Sequence, residues 1–386
     1  MANGKIMLGK IMGRKGDMWT FKLPTAVTFG GGCVQQLPQI VAARGARPLL
    51  VADRDLVKLP PFARVQQVLP GVPVFSDVTP DPTVASVDAL AARLRAGKHD
   101  VVVAVGGGSA MDCAKAAACL AAGNLPSIRA VHSEGVPLGS ARLPLIAVPT
   151  TAGTGSEVTP FAVLSDTEKQ VKGPIAGDAL YPVHAVVDPE LTHSLLLKVT
   201  IVTGLDALCH AIEGYWSRNH QPICDVMAIE AARLICANLK RAAQQPGDAD
   251  ARSAMSYAAT LAGAAFQLPK NAMVHACSFP LSARYHLAHG TACAFTLEEA
   301  IRFNAPVMGE RMTAFLRGAG LGGAEELIAL VRELKQLGGL PCTLRDAGIS
   351  ATEIATLAKE SFHPLMKNNP RTMTEADLVA MYERLA

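Results

Sequence analysis

Five consecutive aliphatic residues, Val101 to Val105, run straight into Gly106-Gly107-Gly108-Ser109, and an alanine-rich stretch from Ala110 to Ala122 follows. A strand with no polar residue on either side belongs in a sheet covered on both faces, and glycines leading into a helix make it the start of a βαβ unit. Other short runs repeat the rhythm: Ala26 to Phe29 and Pro48 to Ala52 read as strands around a helical Val34 to Ala43, and Leu145 to Val148 as a buried strand before the glycine- and hydroxyl-rich Pro149 to Glu157. The first half is therefore expected to hold a Rossmann-like parallel sheet with helices on both faces.

From about Thr192 the strand-like runs thin out. Long amphipathic or alanine-rich stretches, such as Val202 to Ser217 and Pro222 to Ala243, take over, broken at Pro246-Gly247, Pro269, Asn304 to Pro306, Gly318 to Gly323 and Gly338 to Pro341. At 386 residues the chain exceeds what one core usually serves. The expected organisation is an α/β domain over 1–191 and an all-helical domain over 192–386.

Composition excludes several classes of function. Half the residues are hydrophobic and 18% are charged, enough apolar material for two cores. The formal net charge of +3 comes from scattered basic residues rather than a stripe, so no nucleic-acid footprint is expected and a small molecule is the expected partner. No apolar run is long enough for a membrane span, and Met1 to Thr20 is interrupted by Gly, Lys, Arg and Asp before a signal-peptide core can form. The nine cysteines follow no disulfide or CxxC pattern and read as reduced thiols, which places the protein in the cytoplasm.

Gly107, Gly108 and Ser109 stand where a strand feeds a helix, and unpaired N–H groups at such a helix start attract phosphate. A plain tight turn would use the same glycines. Asp53, at the end of the second strand, suits an adenosine ribose and opposes a 2′-phosphate, favouring NAD(H), although an Asp there also starts turns. Thr150, Thr151 and Thr154 add hydroxyls in a third loop on the same sheet.

In the second half, Asp206 and His210 are four residues apart in a helical stretch, so their side chains lie on one face about 5–6 Å apart at Cβ. His275 follows the Pro269 break, and His289-Gly290 opens another helix, so three helices would supply the donors. A carboxylate with imidazoles suits a divalent transition ion, iron or zinc, better than calcium or magnesium. By spacing alone, Asp206 and His210 also fit an ordinary exposed or mutually bonded pair.

These residues resemble the iron-containing (group III) alcohol dehydrogenase family along nearly the whole chain. The matches are Gly106 to Ser109 with Asp112 and Lys115, Pro149 to Glu157, Asp188-Pro189, Gly204 to Glu213, His275, His289-Gly290 and Asn369-Pro370-Arg371. The resemblance implies a dehydroquinate synthase-like architecture, with a dinucleotide-binding α/β domain and an all-helical metal-binding domain. It implies a metal ligated by Asp206, His210, His275 and His289, with Fe2+ expected first and Zn2+ second. Cofactor contacts fall on Asp53, Asp81, Gly107, Gly108, Ser109, Thr150, Thr151, Thr154 and Lys172, Asp81 replacing the family's usual Asn. The implied reaction is hydride transfer between NAD(H) and a small alcohol or aldehyde, in a homodimer or higher homo-oligomer. Many members carry a histidine four residues after the third ligand, where this chain has Phe279. The proton would then come through water, a cofactor ribose hydroxyl or another group such as His286, which also reads as a surface-loop residue. With Phe279 there, the site resembles branches acting on small anionic aldehydes bearing a carboxylate, phosphonate or sulfonate. Lys270, Arg284 and Arg218 are candidates to receive such a tail, or else solvated surface charges. A glycerol dehydrogenase-like polyol oxidoreductase and a non-catalytic metal- or nucleotide-binding relative are the competing readings.

Overall fold

A computed structural model describes residues 18–386, so all but the last three residues of Met1 to Thr20 lie outside the described part. Eight strands are present there: β1 (Ala26–Phe29), β2 (Pro48–Asp53), β3 (Val74–Val78), β4 (Val101–Gly106), β5 (Leu145–Pro149), β6 (Phe161–Asp166), β7 (Val171–Ala176) and β8 (His184–Val187). Six form one sheet in the order β1-β8-β5-β4-β2-β3, every pair parallel. The other two make an antiparallel hairpin.

Alternation along the central strands explains why they read as unbroken apolar runs. Leu49, Val51, Val102, Ala104, Leu145 and Ala147 enter one core, while Leu50, Ala52, Val101, Val103, Ile146 and Val148 enter the other. With both faces covered there is no solvent side to mark with polar residues. The covering helices are α1 (Leu37–Ala42), α2 (Pro60–Val68), α3 (Val84–Ala96), α4 (Gly108–Ala122) and the short α5 (Arg129–Ser133). The expected helix over Val34 to Ala43 is divided: a 3-10 turn occupies Cys33–Gln36, and Pro38 falls in the first turn of α1, where its missing N–H costs nothing.

The remaining helices are α6 (Leu197–Trp216), α7 (Pro222–Gln244), α8 (Ala249–Phe266), α9 (Met273–Tyr285), α10 (His289–Met308), α11 (Glu310–Gly318), α12 (Ala324–Leu337), α13 (Ile354–Ser361) and α14 (Glu375–Glu383). Two compact units emerge: one joins 23–195 with 245–260, and the other is built mainly from 196–244 and 261–386. The residues of α8 up to Thr260 thus count with the sheet rather than with the helices that precede them in sequence. Among the described residues no helix is long and apolar enough to cross a membrane.

Within the helical unit, close approach is secured by glycine. A Cβ at Gly290 would lie 2.6 Å from the Val202 carbonyl oxygen, so the start of α10 rests directly on the backbone of α6. A Cβ at Gly204 would run into Leu239 of α7. These contacts fix the backbone next to His289 and two residues before Asp206.

Candidate active site

In the sheet unit, the strands run outward from the centre in both directions. Chain order moves from β2 to β3 on one side and from β4 to β5 on the other, placing the switch between β2 and β4. Ligands of open α/β sheets bind beyond the carboxyl ends of strands at such a switch. Asp53 ends β2, Gly107 to Ser109 follow β4, Thr150 to Thr154 follow β5, and Asp81 follows β3.

Gly107 caps α4 without a side-chain hydrogen bond, so the first-turn amides keep donors for a ligand. Two of the glycines are also needed by the protein itself. A Cβ at Gly108 would stand 2.8 Å from Thr154 Cγ2 and one at Gly107 3.3 Å from Thr151 Oγ1, so the β5 loop packs onto the β4 turn. Asp53 Oδ1 accepts from the Asp55 and Leu56 amides at 3.0 and 2.8 Å, serving its turn as well as any ribose. Asp81 takes a left-handed conformation (φ 54°), accepts from Lys172 Nζ at 2.7 Å and donates its amide N–H to Ser109 Oγ at 3.3 Å. The structure thus brings Asp81, Ser109 and Lys172 together, although they lie 91 positions apart at most.

Beneath the β5 loop lies a buried network on which the sequence analysis put no role beyond resemblance. Lys115 Nζ donates to Ser156 Oγ (2.7 Å), Thr159 Oγ1 (3.2 Å) and the Phe161 carbonyl (2.9 Å). Asp112 accepts from Ser156 Oγ at 2.6 Å and the Val163 amide at 2.9 Å. Burial pushes the Lys115 ammonium down to about 8, with Asp112 and Glu157 opposing, while burial pushes the Asp112 carboxyl up. Thr260 Oγ1 donates to Glu157 Oε1 at 2.7 Å, anchoring the far end of the loop.

In the helical unit, Asp206 and His210 on α6, His275 on α9 and His289 at the start of α10 converge. His275 Nε2 lies 3.1 Å from His210 Nε2 and 3.8 Å from Asp206 Oδ1, and His289 Nε2 lies 3.7 Å from that same oxygen. Donors held about 2.0–2.2 Å from one ion stand roughly 3–4 Å apart, so these separations fit a shared divalent cation. Asp206 Oδ1 and His210 Nδ1 are buried without a hydrogen-bond partner among the described residues. A buried carboxylate oxygen facing two imidazole nitrogens and bonded to neither is costly unless a cation completes it. Burial, with the two other histidines adding to it against Asp206, pushes His210 down to about 3, so its ring is neutral as a ligand must be. Phe266 stacks on that ring at 4.3 Å and fixes its plane.

Two site residues escaped the sequence analysis. Glu213, fully buried, accepts from His275 Nδ1 at 2.6 Å and from the Val274 amide at 2.6 Å, turning Nε2 toward the cluster. Its signal was present, because positions 206, 210 and 213 follow the i, i+4, i+7 rule for one helical face. Cys293, one turn after His289, brings Sγ within 3.8 Å of His289 Nε2 and forms with Asp206, His275 and His289 a group whose donor atoms all lie within 4.8 Å of one another; His210 stands outside that group and meets it through the 3.1 Å approach of its Nε2 to His275 Nε2. Phe279 is half-buried on the same face of α9 as His275, and its ring meets His363 edge-on at 4.8 Å. His286 is exposed at the left-handed end of α9 (φ 56°), where it terminates the helix. Arg284 is held by Glu353 and Glu360. Arg218 donates to Thr372 Oγ1 at 2.7 Å and, through its amide, to the Asn368 carbonyl.

Residues 24–189 match the model for iron-containing alcohol dehydrogenases, and residues 200–386 match the C-terminal domain of the same family. The chain belongs to the iron-containing alcohol dehydrogenase family. It is 37% identical to long-chain-alcohol dehydrogenase 1 of Geobacillus thermodenitrificans, over 92% of this chain and 93% of that one. It is 32% identical to the NAD-dependent methanol dehydrogenase of Bacillus methanolicus, over 94% and 98% of the two chains. Among solved structures, the sulfoacetaldehyde reductase of Bifidobacterium kashiwanohense in complex with NAD+ superposes with a TM-score of 0.91 at 39% identity, covering 96% of this chain and 99% of that one. This iron-containing alcohol dehydrogenase is thus a metal-dependent oxidoreductase of alcohols and aldehydes, with the family's sheet and helical parts both present.

Proposed function

We propose that this enzyme interconverts a short aldehyde bearing an anionic tail and the corresponding alcohol, using NAD(H) and one divalent ion, Fe2+ in the first place. The observation that carries the reading is the buried, unpartnered Asp206 Oδ1 with imidazole nitrogens 3.7 and 3.8 Å away. Asp206, His210, His275 and His289 would hold the ion, and Glu213 keeps His275 in the tautomer that leaves Nε2 free to ligate. When bound, the ion supplies Lewis acidity to the substrate oxygen and the nicotinamide supplies the hydride.

The chain's own residues do the rest. Amides at the uncapped start of α4 take the cofactor's pyrophosphate, and Asp53 receives its ribose and repels a 2′-phosphate. Thr150, Thr151 and Thr154, on a loop that Asp112 and Lys115 hold rigid from below, offer polar contacts around it together with Ser109, Asp81 and Lys172. Phe279 presents a phenyl ring, which can shape the substrate space but moves no proton. Support for the anionic tail comes from the likeness to a sulfoacetaldehyde reductase. The nine free cysteines support a reducing, cytoplasmic location. A second copy of the chain is the proposed partner, supported by edge strand β1, which exposes Val27 and Phe29.

Metal analysis of the purified protein, coupled to a steady-state screen of neutral and anionic short aldehydes with NADH, tests the reading. One bound transition ion and turnover of an anionic aldehyde are expected, both lost in His275→Ala. A His275→Ala enzyme that keeps full activity without metal overturns the ligand assignment.

A further inference from the structure

The helical unit holds six histidines. Three belong to the metal cluster. His220 Nδ1 is tied to Asp225 at 3.0 Å, and His286 ends α9 in the exposed left-handed position. His363 remains, and its environment is specific. It begins the 3-10 turn Pro364–Asn368, with Nδ1 accepting the Leu365 amide proton at 3.2 Å. An Nδ1 that accepts carries no proton, so the ring proton sits on Nε2, and a charged imidazolium would have to break this bond. Burial also pushes the pKa of this ring down. His363 is therefore held as a neutral ring with a fixed Nε2–H. Among the described residues, nothing bonds that N–H, and the side chain is half-buried rather than sealed.

Its place relative to the cluster follows from the helix. Phe279 stands four residues, about 6 Å of helix rise, beyond His275 on the same face. The His363 ring lies a further 4.8 Å away against the half-buried Phe279. A substrate whose oxygen meets the cluster would thus extend along the Phe279 ring toward His363, a distance of about 10 Å that a metal–oxygen contact of about 2 Å, a two- or three-carbon chain with its terminal oxyanion, and a hydrogen bond of about 2.8 Å bridge together. The segments tied to this turn carry cations. Asn368, in the same 3-10 turn, bonds the Asn271 carbonyl at 2.8 Å and the Asn219 side chain at 2.9 Å. These segments bring Arg218, Lys270 and Lys367, none of which has a carboxylate within 4.0 Å among the described residues. The only acidic residue in the chain from Ser361 back to Glu353, apart from Glu353 itself, is Glu360, and Arg284 engages both.

We propose that His363 is the group that recognises the substrate's tail: its Nε2–H donates a hydrogen bond to an oxyanion carried two or three carbons from the reacting carbonyl, with Phe279 as the floor between. This rests on the aldehyde reductase reading above and deepens it. His363 acts here as a specificity residue, not as a proton carrier, because donation from a neutral ring would leave an imidazolate.

The test compares wild type, His363→Ala and His363→Gln, all metal-loaded, with sulfoacetaldehyde and with propanal, reading KM and kcat separately. His363→Ala is expected to raise KM for sulfoacetaldehyde roughly tenfold, the worth of one hydrogen bond to a charged acceptor, while leaving its kcat and both constants for propanal within about twofold. His363→Gln, whose amide restores a donor, is expected to recover most of the loss. Equal effects on both aldehydes, or a fall in kcat with KM unchanged, overturns the proposal. Wild-type turnover of propanal alone does so as well. A wild-type enzyme that turns over neither aldehyde overturns the functional reading itself, which separates the two failures.

Discussion

Replacing Glu213 by Gln is the sharpest probe of how the metal cluster is built. The substitution keeps the volume of a fully buried side chain and changes only what its outer atoms offer. Glu213 accepts twice at 2.6 Å, once from the Val274 amide and once from His275 Nδ1. A Gln side chain has one acceptor oxygen. If that oxygen keeps the Val274 amide, the NH2 group faces His275 Nδ1, and the ring must move its proton to Nε2 to accept. The lone pair that points at Asp206 and His210 is then lost. Outer partners of metal-bound histidines are worth 10–100-fold in metal affinity, equivalent to about 1.4–2.8 kcal/mol. Chelator-competition titration should therefore show metal affinity falling by that factor in Glu213→Gln. The metal-free protein should lose only the difference between a charged and a neutral hydrogen bond, about 1 kcal/mol. Glu213→Ala separates the two effects, because it also leaves the Val274 amide unbonded and should lower metal-free stability by a further 1–3 kcal/mol or so. A Glu213→Gln protein whose metal affinity stays within threefold of wild type refutes the tautomer argument.

Three further outcomes are expected. Gly290→Ala puts a Cβ 2.6 Å from the Val202 carbonyl oxygen, so it should cost about 1–3 kcal/mol in urea unfolding and loosen the metal by displacing His289, whereas Gly247→Ala, with nothing within 4 Å, should be near neutral. Asp53→Ser should shift cofactor preference toward NADPH by roughly tenfold in the ratio of KM values, equivalent to about 1.4 kcal/mol of relieved repulsion, and an unchanged ratio would remove Asp53 from the ribose site. Asp166 is pushed up by burial, but the Lys169 amide, Ser133 and Arg129 outweigh this and hold it down to about 2 from an ordinary 3.8. Because its folded pKa is the lower one, its contribution is present above about 4 and disappears as pH falls toward 2; urea midpoints of wild type and Asp166→Asn should converge across that window, and a constant gap would contradict the assignment.

Much of the sheet could be read from sequence because its central strands are apolar on both faces, as Val101 to Val105 shows. The hairpin was not foreseen: β6 opens on the short apolar run Phe161 to Leu164 but ends on Ser165 and Asp166, β7 contains Gly173 and Pro174, and the residues between them offer no turn dipeptide of recognised type. The return of 245–260 to the sheet unit was equally hidden, since α8 has an ordinary alanine-rich helical pattern on both sides of Thr260.

The site divides along the same physical line. Asp206 and His210 announce themselves through helical spacing, because i and i+4 share a face whatever surrounds them. His275 and His289 have no such local warrant: they reach the cluster only because α9 and α10 pack on α6, with Gly290 against Val202, and composition carries no record of that approach. Glu213 is the intermediate case. Its position on the Asp206 face was legible, but its purpose depends on where His275 Nδ1 points, a fact of tertiary structure. The same holds for His363. Its Nδ1 bond to Leu365 is a local event two residues long, yet it acquires meaning only from Phe279, 84 positions earlier, which ties the ring standing where the family resemblance implies a histidine to the side chain proposed to choose the substrate.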